Sequence, residues 1–457
     1  MQSISKEDKR IFILSREKPA KAVVKLGVPL IFGMFIMVLY NLVDTYFIGL
    51  MNDDYRLAAV NLAYPVMMIT VAVSNIVGAG ASSLIARSLG AGEEDRAEQT
   101  LTTGFVLTGI SSLIVTAGGL VFLPQIVRGL GAKSNTFGYT SEYVSVLLIG
   151  SLLTMGSYTV GALLRSEGSV KLSVAGMIAG TAANIVLDPL FIFAFGMGIR
   201  GAAVATVLGN GISLGVSLFF YLSGRTLLRP RRRFIRPAWA VVKEIFSVGI
   251  PAALETLLTS AAYIVNNNLA VDYGELTVAA MGVSQKIMSL GSYIYQGFAS
   301  GTQPIMGYNY GAKNYRRMLS VLWAGVLVVS ITELAVMTAY GILAPQLIGI
   351  FSDTEEVVTL GARVLRTLMC ILPFVGATSM CRMSFQAMGK PGYAFAITLI
   401  RQLFLYVPLL LLLDHIFAFS GMLWAQPVTE VIMMTVSVAL LYRTIRREAQ
   451  TADPAGQ

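Results

Sequence analysis

The chain has 457 residues, of which 55% are hydrophobic and only 13% charged, with a mean hydropathy of +0.70. A water-soluble domain carries roughly a quarter charged residues, so this composition excludes a chain whose outer surface meets mainly water and leaves lipid as its solvent. The formal charge of +9 does not argue for nucleic acid, because Lys and Arg gather in short segments between apolar stretches, as membrane orientation requires.

The N-terminal segment, residues 1–24, is charged and lacks an apolar run followed by a small-residue cleavage site, so no cleaved signal peptide is expected. Crossing a ~30 Å hydrocarbon layer as helix takes about 20 apolar residues. Twelve such spans are predicted, centred near Val38, Ser74, Ser111, Leu152, Ala183, Ser213, Thr259, Tyr293, Val329, Val375, Leu405 and Met433. The only long polar interruption is SGRTLLRPRRRFIRP, which makes residues 224–243 a basic linker between a first lobe, 25–223, and a second, 244–443, followed by a tail, 444–457.

The basic segments fix an orientation. Lys18, Lys21 and Lys25, the linker arginines Arg225, Arg229, Arg231, Arg232, Arg233 and Arg236, and Arg443, Arg446 and Arg447 of the tail are all expected on the cytoplasmic side. The connections Asn52 to Tyr55, Asp272 to Glu275 and Ser352 to Glu356 are short and acidic and are expected outside. Both termini inside demands an even number of spans, in agreement with twelve.

The lobes repeat. Gly27-Val28-Pro29 recurs as Gly249-Ile250-Pro251 at a shift of 222, Gly90-Ala91 as Gly311-Ala312 at 221, Gly168 as Gly389 at 221, and Gly201 as Gly421 at 220. A shift so nearly constant over four separated anchors marks an internal duplication. Six spans per copy gives both copies the same orientation, related by a pseudo-twofold axis along the membrane normal. The expected fold is therefore an all-α polytopic membrane protein of two six-helix lobes working by alternating access, with substrate held near mid-membrane.

An ionised carboxylate costs roughly 2.5–3.5 kcal/mol at the centre of a span, so a carboxylate found there is a functional candidate. Asp44 lies inside the first span, with Tyr40 and Asn41 one turn upstream. In the fifth span Asn184 and Asp188, at i and i+4, share one helical face. Pro189 follows directly and frees the Ile185 carbonyl from its helical hydrogen bond. These are hard oxygen ligands suited to Na⁺, or a pocket in which a carboxyl takes up H⁺. Thr206, early in the sixth span, adds a hydroxyl. In the second lobe Glu255 follows Pro251 by one turn and is a weaker candidate for the substrate cleft, with Tyr40 and Asn41; Glu333 and Glu430 are intramembrane acids without an assigned role, and Arg382 and Arg401, which either pair with acids or reach the cytoplasmic face, are read as structural.

The segments YNLVDTYFIG, GAGASSLIARSLGAG, LRSEGS and the Gly-Ala-Lys after the eighth span resemble the multidrug and toxic compound extrusion (MATE) family, over about Lys25 to Arg443. The first-lobe carboxylates make the chain similar to the bacterial DinF-like branch. The resemblance implies that Asp44, Asn184, Asp188 and Thr206 form a cation-coupling site with Tyr40 nearby. It implies secondary antiport in the plasma membrane, exporting amphipathic organic cations in exchange for H⁺ or Na⁺. Beyond Na⁺ at those residues no metal is expected, and no cofactor; the partners are small organic cations and membrane lipid, not nucleic acid, and the chain is expected to act as a monomer. The 21 Met residues and 10% aromatic content suit a cleft for flat, greasy cations, although helix interfaces use the same residues. A flippase for lipid-linked oligosaccharide, from the same superfamily, is the alternative. No GxxxxGK[ST] loop is present to bind ATP, and the single histidine, His415, has no nucleophile motif beside it, so an enzyme is not expected.

Overall fold

A computed structural model describes residues 6–51, 53–351 and 354–452, with the main chain alone at 6–8, 41, 45, 54, 257, 260, 261, 263, 264, 267, 275 and 452. Of the acidic connections, Asn52, Ser352 and Asp353 lie outside the described residues, and so does the side chain of Asn41.

The described chain is helical, with no strand. In order the helices are α1 (Lys6–Ser15), α2 (Pro19–Gly49), α3 (Asp54–Gly90), α4 (Glu94–Val121), α5 (Leu123–Gly129), α6 (Ser134–Ile149), α7 (Ser151–Ser166), α8 (Val170–Pro189), α9 (Gly198–Leu222), α10 (Trp239–Val271), α11 (Glu275–Gly311), α12 (Tyr315–Gly349), α13 (Glu355–Met369), α14 (Leu372–Ala387), α15 (Pro391–Leu399) and α16 (Val407–Ala452). Among the described residues seven helices are long and apolar enough to cross a membrane, and nine spans result if the bent pairs α6–α7 (52°) and α13–α14 (42°) each count as one. The predicted centres all fall within these helices or, for Leu405, in the wider-wound turn Ile400–Tyr406 between α15 and α16. Twelve crossings would need α10 and α11 as well, and a division of the 61-residue run Pro391–Thr451. That run does break at Ala418, whose φ of 50° and ψ of −142° are not helical.

Close packing divides the chain into two units, 1–11 with 32–250 and 12–31 with 251–457. The divisions fall inside helices, next to Pro29 of α2 and at Pro251 of α10, where a ring removes a main-chain donor and loosens the helix. The start of α2 thus packs in the second unit and the start of α10 in the first. Glycine permits both contacts. Any Cβ on Gly249 or Gly80 would collide with the main chain of Ile76 or Ile245, and in the second unit a Cβ on Gly301 would meet the Gly27 nitrogen at 2.7 Å. Gly80 and Gly301 stand 221 residues apart, so the duplicated sequence repeats this crossing as well as its helices.

In the first unit one core gathers Val77, Leu84, Ile85, Leu101, Leu163 and Ile245, and another gathers Ile48, Ala63, Val144, Leu148, Ile192 and Ala203. The linker is pinned rather than loose at its start. Glu167, fully buried after α7, accepts from Ser169 Oγ (2.5 Å) and from the Leu228 main chain (2.9 Å), and burial pushes its carboxyl up to about 7. Further along, Arg231 Nε pairs with Glu98 (2.5 Å) and Arg233 with Asp95. The repeat glycines Gly168 and Gly389 have φ of 80° and 69°, a left-handed turn that explains why both copies keep glycine there.

Candidate functional site

The site is built where α8 and α9 touch through glycine. A Cβ on Gly180 would lie 2.5 Å from the Gly209 carbonyl oxygen, and one on Gly209 would lie 2.8 Å from Asn184 Cβ. This approach sets the Asn184–Asp188 face of α8 against the start of α9, which carries Thr206. The main chain beyond Pro189 winds more widely over Leu190–Ala194, the local consequence of a missing proline donor. The second part of α2 lies on α8 near Gly33, where any Cβ would strike Met177.

Asp188, Asn184 and Thr206 are buried, with 0%, 3% and 7% exposure, while Tyr40 and Asp44 are half-buried. Asn184 Nδ2 donates to Asp188 Oδ1 at 3.5 Å, and the Tyr40 and Thr206 hydroxyls are 3.5 Å apart. The Asp44 and Asp188 carboxyls are neighbours, close enough for each to feel the other's charge. Asn210 Nδ2 donates to the Thr206 carbonyl at 3.0 Å and fixes the α9 turn that presents the hydroxyl. All four residues assigned to cation coupling, with Tyr40, are therefore in the first unit around one cluster.

What the cluster lacks decides its chemistry. Asp44 Oδ1, Asn184 Oδ1 and Asp188 Oδ2 are buried and have no hydrogen-bond partner among the described residues. None of the ion pairs among those residues involves Asp44 or Asp188. Two anions this close are mutually costly in a dry site, and acceptors without donors call for a positive charge. A proton on one carboxyl answers that demand, and so does a small hard cation held by carboxylate, amide and hydroxyl oxygens.

One member was not singled out by the sequence. Tyr143 of α6 is 6% exposed, and its phenol lies among Asp44, Tyr40, Asp188 and Thr206. Its only signal was one tyrosine among 19. Glu255 belongs to the second unit and is held there. Its carboxylate pairs with Arg382 Nη1 at 2.5 Å and accepts from Gln386 Nε2 at 3.1 and 3.2 Å. Arg401 Nε pairs with Glu430 at 2.8 Å, so both arginines read as structural do meet acids.

The MatE family profile matches residues 29–190 and again 251–412. The chain belongs to the MatE family. The two matches begin and end 222 residues apart, the period read from the glycine anchors. Over 449 residues the chain is 26% identical to the multidrug export protein MepA of Staphylococcus aureus, covering 98% of each chain. Its fold is similar to an outward-facing multidrug resistance MATE family transporter of the MOP superfamily, with a TM-score of 0.91 and 28% identity over 97% of this chain and 99% of that one. It is similar also to a MOP superfamily transporter from Pyrococcus furiosus, described as having a binding pocket of reverse polarity that suggests a different function (TM-score 0.90, 28% identity, 96% and 98% covered). The chain is thus a multi-pass plasma-membrane protein of a transporter family, not of an enzyme family.

Proposed function

We propose that this MatE protein is a secondary antiporter that exports amphipathic organic cations in exchange for H⁺ or Na⁺ by alternating access. The observation that carries this is the uncompensated pair Asp44 and Asp188, with three buried oxygens lacking donors. Relatives named for multidrug export support the substrate class. Loading of the ion neutralises the pair and removes the demand for positive charge. A bound organic cation, which answers the same demand, then loses its electrostatic hold and leaves. Asp44 sits on α2 beyond Pro29, so a change of charge at the cluster acts on a helix already loosened there.

In the same reading both termini and the linker face the cytoplasm, the coupling ion enters from outside, and a single chain in lipid suffices. Everted vesicles test it, with H⁺ and Na⁺ gradients imposed separately. One gradient should drive accumulation of a cationic dye, and Asp44→Asn should abolish it. Accumulation with neither gradient, or translocation of a labelled lipid-linked sugar in place of dye, would replace antiport by the flippase reading.

A further inference from the structure

Three glutamates are buried along the helices of the second unit: Glu255, Glu333 and Glu430, at 5%, 0% and 1% exposure. Two are matched, Glu255 by Arg382 and Glu430 by Arg401. Glu333, in α12, has no ion-pair partner among the described residues, and neither of its carboxyl oxygens has a hydrogen-bond partner there. Counting charges, two arginines face three carboxyls, and the excess sits on Glu333.

Its surroundings are the junction of α11, α12 and α14. Val329 and Val336 flank it on its own helix; a Cβ on Gly376 would lie 3.1 Å from Tyr295 Cβ, and one on Gly291 would lie 3.1 Å from Leu372. The titratable groups that face this junction are few. Tyr340, on α12 itself, is the phenol beside Glu333; α11 meets Glu333 with the main chain of Tyr295, whose own phenol lies toward Arg401, Glu430 and Arg382. Arg382 of α14 is committed to Glu255, Arg401 to Glu430 of α16, and Arg366 of α13 to the Gly341 carbonyl at 2.9 Å. Among the described residues no set of side chains here offers the several hard oxygens that Na⁺ requires, whereas a proton requires one.

The fold does not impose an acid at this place. At the repeat-equivalent position, 221 residues earlier, stands Ser112, and the first unit closes the corresponding junction with hydroxyls: Thr116 and Ser151 are 2.7 Å apart, and Ser151 bonds the Ser112 carbonyl at 3.1 Å. A carboxyl in a setting that serine serves elsewhere is an addition to the architecture.

We propose that Glu333 is a second ion-binding site of this transporter, specific for H⁺: its carboxylate takes a proton from water when the site is open and returns it when the site opens elsewhere. This rests on the ion-coupled reading above for its role in transport, though not for the binding itself. The test is the carbonyl-stretch infrared difference spectrum of the purified full-length chain between alkaline and acid pH. One carboxylic acid band should be lost in Glu333→Gln and kept in Asp44→Asn and in Glu333→Asp, which retains an acid and guards against a misfolded Gln variant. In proteoliposomes Glu333→Gln should lower the steepness of efflux against external pH by about one proton. A Glu333→Gln difference spectrum identical to the parent's would overturn the proposal, because the carboxyl would then stay neutral throughout. If Asp44→Asn pumps normally while the Glu333 band is present, the coupling role of the aspartates fails and the proton site stands.

Discussion

The two units descend from one repeat, yet Glu255 and Glu430 of the second settle their buried charge differently from Asp44 and Asp188 of the first. In the second, Glu255 and Glu430 each have an arginine of their own, so most of its polar interior is neutral without help. In the first, Asp44 and Asp188 have each other, an amide and hydroxyls, and no cation among the described residues. A paired acid stiffens a helix contact; an unpaired pair remains in need of charge and can take it from solution. Duplication supplied the scaffold twice, and the placement of arginine separates the paired acids Glu255 and Glu430 from the unpaired Asp44, Asp188 and Glu333, the groups proposed here to bind ions.

The contrast can be broken from the second unit. Arg382→Ala leaves Glu255 buried without its counter-charge and should cost ~3–5 kcal/mol, read as a fall in thermal stability in detergent. Adding Glu255→Gln should restore most of it, since the orphaned charge goes with the arginine. It can be sharpened from the first. Gly180→Ala places a methyl against the Gly209 carbonyl, pushes α8 off α9 and should cost ~1–3 kcal/mol. Because Asn184 and Asp188 travel with α8, dye export should fall further than stability alone explains. The smallest effect is expected at Tyr143→Phe, which removes one hydroxyl from beside Thr206 and the two aspartates: ~1 kcal/mol, or roughly fivefold in apparent ion affinity, with folding unchanged.

Much of this was written in the chain. Lipid as solvent forces long apolar helices, so the predicted spans fall on observed ones, and the 222-residue period survives because glycines at close crossings cannot drift. Asp44, Asn184 and Asp188 were visible because carboxylates and amides in apolar sequence are costly and therefore few, whereas Thr206, one of many buried hydroxyls, was placed with them by the family resemblance. Tyr143 was invisible, since tyrosine is ordinary in a membrane helix and only the packing of α6 brings it to Thr206. The pairing of Glu255 with Arg382 was hidden too, because Arg382 lies 127 residues away and pairing depends on helix contacts. The exchange of helix starts at Ile31 and Ile250 was not predicted either, although two of the glycines that permit it, Gly27 and Gly249, were among the repeat anchors.

The most direct measurement is displacement of a fluorescent cationic dye from the purified protein by H⁺ and by Na⁺, titrated separately in the parent, Asp44→Asn and Asp188→Asn. Dye should leave the parent as one of these ions is added, and the same titration should leave both variants unresponsive. Displacement at the parental ion concentration from either variant would contradict the assignment of the first unit's carboxyl pair as the coupling site.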